Sequence, residues 1–227
     1  MQSEQLTHFA KCPPSKRPNF FHYGINSPFR PLWSIIVRDW AIECDPANSG
    51  IDASRFDVLR DRRRPSMETL RQHLLSLVPI RLIIKGNKGV IDASALVYLP
   101  ADGDLRTNSK SIVESRHSDH ARIEERKMKK AKQSYHRGQT MIQLIDERVN
   151  NGEQPVIHDC DRKLLGAVTS GSFQFSRACC TGKGFIAAGA LLTLLQQQES
   201  KTRKTSELRV LVRTTASQYY RWGSLEF

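Results

Sequence analysis

Three side chains near residue 160 have the types and spacing that a metal site needs. His158, Asp159 and Asp161 place one imidazole and two carboxylates within one short segment, and such groups bind divalent metals. They follow a predicted strand and precede a turn, however, where aspartate commonly forms side chain-to-backbone hydrogen bonds. We favour that structural role, and we predict no metal ion at this position.

The remaining candidates for catalysis lack either a scaffold or a partner. His117, Asp119 and His120 lie in a Ser- and His-rich stretch, where no rigid element would hold them in a productive geometry. The cysteines are odd in number and scattered without CxxC spacing, which fits a reducing compartment. They are Cys12, Cys44, Cys160, Cys179 and Cys180. We therefore predict a chain that is not an enzyme and has no catalytic residue, metal or cofactor.

Lysine and arginine supply a different chemistry, which is the binding of phosphate groups. The chain has 35 Lys and Arg against 23 Asp and Glu, a formal net charge of +12 and a pI near 9.8. A balance this basic predicts a polyanionic partner, with RNA or DNA ahead of an anionic membrane. No apolar run of roughly 18 residues is present, so we predict no membrane-spanning segment and no membrane partner.

The cations that we expect to contact RNA fall in three regions: a Pro- and aromatic-rich arm, a basic insertion, and the terminal strands with their loops. In the arm, rings and cations suit stacked bases and phosphates. In the insertion, a basic helix can follow a phosphate backbone. The predicted RNA-binding residues are Lys11, Lys16, Arg17, Asn19, Arg30, Arg126, Lys127, Lys129, Lys130, Arg177, Lys183 and Arg221.

Each region also has a structural interpretation that the sequence leaves open. The rings of the arm can bury against a protein surface. The insertion contains Glu124 and Glu125, which allow i,i+4 pairs such as Glu125 with Lys129. Residues 182–184 read Gly-Lys-Gly and predict a turn with exposed N–H groups, although the phosphate-loop spacing is absent. Arg221, between two aromatic residues, can instead stack or pair at the edge of the core.

The scaffold is predicted by apolar runs of strand length that Gly and Ser interrupt. They indicate a small β-barrel or sandwich with a few helices, in the α+β class. Ser66 is a good N-cap for a helix that Pro79 should end, and a short helix is expected around residues 32–40. Strands are predicted at 80–85, 95–99, 156–160, 164–169, 173–176, 208–213 and 219–226, and further helices at 122–132, 140–149 and 188–198.

The domain organisation follows from shifts in composition along the chain. Residues 1–42 are predicted to form an extended arm that contains the short helix, and residues 43–65 a polar, basic linker. Residues 66–227 form the predicted barrel-like domain, which the basic insertion interrupts at about 101–138.

Three blocks of sequence, taken in order, carry a family resemblance. The first is Pro-Pro-Ser-Lys-Arg-Pro-Asn-Phe at 13–20, and the second is Leu-Val-Pro-Ile-Arg-Leu-Ile-Ile-Lys-Gly at 77–86. The third begins at 164 and contains Gly-Ala-Val-Thr-Ser-Gly and Gly-Phe-Ile-Ala-Ala-Gly. Together they resemble the C-terminal region of the large processing-of-precursor protein subunit of eukaryotic ribonuclease P and ribonuclease MRP. In that family, residues 1–42 would correspond to the end of a middle domain.

The resemblance implies both a fold and a function. The family's C-terminal domain looks like the β-barrel at the end of glycine-cleavage aminomethyltransferases. The implied function is that of a non-catalytic RNA-binding scaffold in the nucleus and nucleolus, which supports precursor tRNA 5′-end maturation and rRNA processing. Its implied partners are ribonuclease P RNA, MRP RNA and the other protein subunits of the particle.

Two other functions remain open at this point. One is a folate-binding, aminomethyltransferase-like enzyme that uses the barrel. The other is a general basic nucleic-acid-binding protein. Since relatives are much longer, we also expect this chain to be a C-terminal piece, a truncated gene model or a split subunit.

Overall fold

A computed structural model describes residues 25–27, 30–31, 33–52, 55–60, 64–85, 91, 95–107, 112–113, 160–199, 207–214, 217 and 219–227. Several predictions lie outside these residues. They concern the arm before residue 25, most of the basic insertion, the helices at 122–132 and 140–149, and the strand at 156–160 except its last residue.

The described chain forms a β-barrel with four α-helices and some short strands. In sequence order they are β1 (Ile25–Ser27), β2 (Arg30–Pro31), α1 (Trp33–Cys44), β3 (Asp57–Val58), α2 (Met67–Gln72), β4 (Ser76–Lys85), β5 (Leu96–Tyr98), α3 (Asp102–Thr107), β6 (Ile112–Val113), β7 (Leu164–Gln174), β8 (Cys179–Ala187), α4 (Ala188–Glu199), β9 (Leu208–Arg213) and β10 (Tyr219–Glu226). Single 3-10 turns lie at Pro46–Gly50 and Phe175–Arg177.

Six antiparallel strands close the barrel in the order β4–β8–β7–β5–β9–β10, because β10 pairs back onto β4. β3 extends β4 in parallel, and β6 extends β10. The predicted small barrel in an α+β chain is therefore confirmed. Its likeness to the aminomethyltransferase barrel stays a prediction.

The two faces of each strand explain the sequence pattern of the barrel. On β4, Val78, Leu82 and Ile84 are buried, and they alternate with outward residues such as Arg81. Successive side chains of a strand point to opposite faces, so one set fills the barrel and the other lies on its outer surface. The apolar run thus specifies the interior, and the interspersed polar residues specify the outer surface.

The helix expected in the N-terminal arm is α1, and it packs on the barrel. Ile36, Val37 and Trp40 are fully buried in the same apolar core as the strands. The Nε1–H of Trp40 donates a 2.6 Å hydrogen bond to the carbonyl oxygen of Leu164, the first residue of β7. α4 follows β8 without a break and packs against α1.

The helix that begins at Ser66 is shorter than predicted. The Ser66 side chain caps it by accepting from the N–H of Thr69, but the helix ends at Gln72, and Pro79 lies inside β4. The Leu77 carbonyl accepts a hydrogen bond from the N–H of Leu59, so the backbone groups of Leu77 point toward the β3 edge of β4. Pro79 lies two residues further along β4, and its backbone groups therefore point toward the same edge. Neither β3 nor β10 pairs with residue 79, so the missing N–H of proline costs no ladder bond.

The predicted strands at 164–169 and 173–176 are one strand. β7 runs through residues 170–172, where a register shift between Val168 and Ser170 places an extra residue, Thr169, in the strand. The Ser-Gly-Ser sequence suggested a break, but a β-bulge absorbs the irregularity without ending the pairing.

Candidate nucleic-acid interface

A row of polar residues crosses three neighbouring strands on the outer surface of the barrel. Lys183 of β8 lies directly opposite Arg81 of β4 on one side and Ser170 of β7 on the other. Directly opposed residues point to the same face of a sheet, and all three side chains are exposed. Strand pairing alone thus brings together two cations that are far apart in the sequence.

A second row lies next to the first and consists of hydroxyl groups. Ser172 of β7 lies opposite Thr181 of β8, and their hydroxyl oxygens are 3.1 Å apart. These rows border an open groove with a volume of about 520 Å³. The residues that line it are Arg81, Ser170, Gly171, Ser172, Gln174, Thr181, Gly182 and Lys183.

The predicted turn at residues 182–184 is wrong, because these residues lie within β8. Gly184 is explained by the packing of β7 against β8. A Cβ at Gly184 would lie 2.3 Å from the carbonyl oxygen of Ala167 and 2.9 Å from the Cα of Val168. Lys183 therefore offers its side chain from a strand, and it does not belong to a loop of free N–H groups.

Among the described residues, two cations and one acid set the electrostatics of the groove. Glu226 of β10 lies opposite Arg81, with its carboxylate 3.8 Å from the Arg81 Nε, and both side chains are about half exposed. Within the described part of the chain, no carboxylate forms an ion pair with Lys183. Exposed pairs of this kind contribute little to stability, so the Arg81 guanidinium remains available to an anion.

An exposed aromatic ring lies at the tip of the β7–β8 hairpin, beyond the end of the groove. Phe175 is 88% exposed and follows directly after Gln174, which lines the groove. The 3-10 turn that contains it ends at Ala178, which adopts a left-handed conformation with φ of 46°. The Phe175 ring packs edge-on against Phe173, with 5.0 Å between centroids.

Only some of the predicted RNA-binding residues lie among the residues that the structure describes. Lys183 lies in the groove, whereas Arg30 and Arg177 are described by their backbone alone. The other predicted residues, apart from Arg221, lie outside the described residues. They are Lys11, Lys16, Arg17, Asn19, Arg126, Lys127, Lys129 and Lys130.

Arg221 is separated from Lys183 by the wall of the barrel. It lies opposite the buried Val212 and shares a face of β10 with the buried Leu225, so its side chain lies on the interior side of the strand. Burial raises the pKa of the Cys180 thiol, and the charge of Arg221 lowers it, which indicates that the two residues are neighbours. This position agrees with the alternative in which Arg221 pairs at the edge of the core.

A buried cluster around Arg213 lies apart from the groove. Arg213 is 1% exposed, and its Nη2 donates to the Tyr98 hydroxyl at 3.2 Å and to the Cys160 Sγ at 3.4 Å. Its guanidinium also lies 5.0 Å from the ring of Tyr220, whose hydroxyl donates to Asp161. Burial raises the pKa of Tyr98 well above its usual value. These contacts fasten the segment before β7 to the barrel.

The described residues lack two other features, a metal-binding cluster and a membrane-spanning helix. No three His, Cys, Asp or Glu side chains in that part of the chain converge as a metal site would require. His158 and Asp159 lie outside it. None of the described helices combines the length and apolar character needed to cross a membrane.

Sequence reasoning missed most of the groove. Arg81 is the single polar residue of an apolar strand, and its position between Ile80 and Leu82 places it on the opposite face from theirs. The alternating polar residues Ser170, Ser172 and Gln174 carried the same signal. Phe175 gave no such signal, because its two-residue spacing from Phe173 predicts that both rings lie on the buried face of a strand.

The fold and this surface define a class of protein: a small closed antiparallel barrel with a polar, cationic groove on its outer wall. The model of the POP1 C-terminal domain family matches residues 76–227. The chain belongs to that family, which confirms the resemblance seen in its sequence. Membership associates it with the ribonuclease P and MRP ribonucleoproteins, which contain RNA and protein subunits, and with the nucleus. A comparison with curated proteins gives no match.

Proposed function

We propose that the chain is a non-catalytic RNA-binding subunit of the ribonuclease P and MRP particles. In this role the barrel is a rigid platform that braces the folded RNA, and the bond-breaking chemistry belongs to the RNA. The partners are ribonuclease P RNA, MRP RNA and neighbouring protein subunits. The function supports 5′-end maturation of precursor tRNA and processing of rRNA in the nucleolus.

The observation that supports RNA contact most directly is the pairing of Lys183 with Arg81. Two cations on adjacent strands, with hydroxyl groups beside them, match the donors that proteins use toward phosphate oxygens. The scaffold is rigid because both residues lie on strands in the middle of a closed barrel. A net charge of +12 extends the attraction beyond the groove.

A salt titration tests this proposal. The full chain is bound to ribonuclease P RNA and to MRP RNA over a range of salt concentrations, and log K is plotted against log salt. The double variant Arg81→Gln/Lys183→Gln should flatten the slope by about 1.4, since each contact to a single strand contributes about 0.7. The control Arg60→Gln/Arg71→Gln removes the same charge from exposed residues that do not line the groove.

Each outcome separates the proposal from its rivals. A flat salt plot for the unaltered chain would rule out phosphate-led binding. Equal competition by duplex DNA and structured RNA would favour a general nucleic-acid-binding protein. If the control flattens the slope as much as the groove variant, the groove has no special role.

The processing role requires a test in cells. A strain whose sole copy carries the groove variant should accumulate 5′-extended precursor tRNA and unprocessed rRNA precursors, and the control variant should not. Fluorescence microscopy of the tagged chain tests its concentration in the nucleolus. Normal processing with the groove variant would contradict a contribution of this surface.

A further inference from the structure

The groove presents hydroxyl groups and cations in a fixed register on one face of the barrel. Ser170 lies opposite Lys183, which in turn lies opposite Arg81. Two residues away along β7 and β8, Ser172 lies opposite Thr181. Alternate residues of a strand share a face, so the two rows belong to one surface. At about 3.3 Å per residue they are about 7 Å apart along the strands, which a phosphate and the ribose next to it can span.

The hydroxyl groups of Ser172 and Thr181 keep donor capacity for a ligand. Their oxygens are 3.1 Å apart, so one hydroxyl donates to the other. The accepting hydroxyl retains its own hydrogen, and both oxygens retain lone pairs. The Ser172 side chain is exposed, whereas Thr181 is buried. The pair therefore offers the groove both a donor and acceptors.

The backbone holds the cations and hydroxyl groups in place before any ligand binds. Lys183 lies on β8 between β4 and β7, and both neighbouring strands pair with it. At the β-bulge, the Thr169 hydroxyl donates to the Lys183 carbonyl at 3.1 Å. The irregular step in β7 therefore does not loosen its connection to β8 beside the groove.

The described residues that line the groove include no aromatic side chain. The exposed Phe175 does not belong to this surface, because its ring packs on Phe173. By strand alternation, Phe173 lies on the face of β7 opposite to that of Ser172 and Gln174. Among the described residues of the groove, a base thus finds no ring on which to stack, and the surface suits the sugar–phosphate backbone instead.

We propose that Ser170 and Ser172 contact the 2′-hydroxyl of an RNA strand whose phosphates lie at the two cations of the groove. The inference rests on the proposed RNA-binding function and deepens it by naming residues that distinguish RNA from DNA. The 2′-hydroxyl both donates and accepts, and it is the group by which a protein distinguishes RNA from DNA at a given site. A serine hydroxyl has the same capacity, so the two groups can bond in either direction.

The test compares two unstructured probes of one base sequence with the full chain. One is an oligoribonucleotide, and the other is its 2′-fluoro version, which keeps the phosphates and the ring pucker of RNA but has no 2′-hydroxyl. Ser170→Ala/Ser172→Ala should weaken binding of the oligoribonucleotide by about 5- to 150-fold, the loss expected for two hydrogen bonds. The same variant should bind the fluorinated probe within about twofold of the unaltered chain, because that probe cannot make these contacts.

Control variants separate contact with the ribose from a change in the fold. Ser170→Thr/Ser172→Thr keeps both hydroxyl groups and should distinguish the two probes as the unaltered chain does. Ser176→Ala removes an exposed hydroxyl from the turn between β7 and β8, outside the groove, and should change neither affinity. The salt slope should stay the same in every serine variant, because no charge is removed.

The inference is overturned if the alanine variant binds the oligoribonucleotide normally, or if it loses affinity equally for both probes. In a third outcome, Arg81→Gln/Lys183→Gln weakens binding of both probes while the alanine variant still distinguishes them as the unaltered chain does. The proposed function then stands, and this inference alone fails. If the unaltered chain binds neither probe, both fail.

Discussion

Glu226 lies directly opposite Arg81 across β10 and β4, with its carboxylate 3.8 Å from the Nε of Arg81 at the edge of the cationic groove. Each side chain is about half exposed, so water and salt screen the pair. Glu226 therefore contributes little to folding, but it reduces the positive potential that a phosphate meets at Arg81.

Removal of this acid should strengthen RNA binding. Glu226→Gln raises the net charge by one unit and removes the competitor for the Arg81 guanidinium, so we expect affinity to rise about two- to fivefold at low salt. The gain should shrink as salt increases, because the effect is electrostatic. The free energy of unfolding should change by less than about 1 kcal/mol.

The control for this prediction is Glu68→Gln, which removes one negative charge from an exposed position of helix α2. The affinity of both variants for the same RNA is measured by titration, which distinguishes a local effect at Arg81 from an effect of net charge. An equal gain in the two variants would show that Glu226 acts only through net charge.

Gly184 should tolerate no side chain. The Cβ of Gly184→Ala would meet two backbone atoms of β7, the Ala167 carbonyl oxygen at 2.3 Å and the Val168 Cα at 2.9 Å. Backbone atoms cannot move away by a change of rotamer as a side chain can. We therefore expect the free energy of unfolding, measured in urea, to fall by at least about 3 kcal/mol.

The matched control for Gly184 is Gly103→Ala in α3. No atom lies within 4 Å of a Cβ placed there. Alanine is favoured over glycine within a helix by about 0.5–1 kcal/mol, so this variant should be as stable as the unaltered chain or slightly more so. Similar losses in both variants would contradict the close approach of β7 and β8.

Most of the scaffold could be predicted because its determinants are local. β9 and β10 have the predicted bounds, and α4 differs by one residue, since an apolar segment of the right period identifies each element by itself. The groove could not be predicted in this way. Lys183 and Arg81 are distant in sequence, and the register of β4 with β8 that makes them neighbours depends on closure of the barrel.

Local sequence also misled where packing between strands decided the outcome. The glycines beside Lys183 indicate a turn when the sequence is considered alone, yet they lie within β8, and Gly184 is required by the close contact of β8 with β7. The leucines after Ser66 fit a longer helix, but Leu77 is committed to β4 by its pairing with Ala187. Tertiary pairing overrides local preference in both cases.

The contact between α1 and the barrel should matter for stability. Trp40→Phe keeps an aromatic ring but removes the buried N–H that donates to Leu164, so the carbonyl loses this partner. We expect unfolding free energy to fall by about 1–3 kcal/mol in urea. Trp33→Phe is the control, because Trp33 is only partly buried and contacts Phe185 through its ring. Equal losses would contradict a specific role for the hydrogen bond.

The same packing bears on the predicted domain boundaries. A fragment of residues 66–227 lacks α1, including the fully buried Ile36, Val37 and Trp40. Burial of each such side chain contributes about 1.5–3 kcal/mol. We therefore expect this fragment to unfold at a much lower urea concentration than a fragment of residues 33–227. Equal midpoints would support residues 66–227 as an independent unit.

Tyr98 should make the chain sensitive to alkaline pH. Burial raises its pKa well above 10 in the folded chain, whereas in the unfolded chain the pKa is near 10. Below pH 10 the hydroxyl is protonated in both states, and its contribution to stability is complete. Above pH 10 the unfolded state loses the proton first, so stability falls as pH rises, by up to about 1.4 kcal/mol per pH unit, until the folded pKa is reached.

Tyr98→Phe isolates this effect. The variant loses the hydroxyl that accepts from Arg213, so we expect it to be about 1–2 kcal/mol less stable at pH 7. Between pH 10 and 11 its unfolding free energy should fall less steeply than that of the unaltered chain, because the group that titrates is gone. Tyr219→Phe provides the control, since Tyr219 is half exposed and its loss should leave the slope unchanged. Parallel curves for Tyr98→Phe and the unaltered chain would show that the buried hydroxyl does not govern stability at high pH.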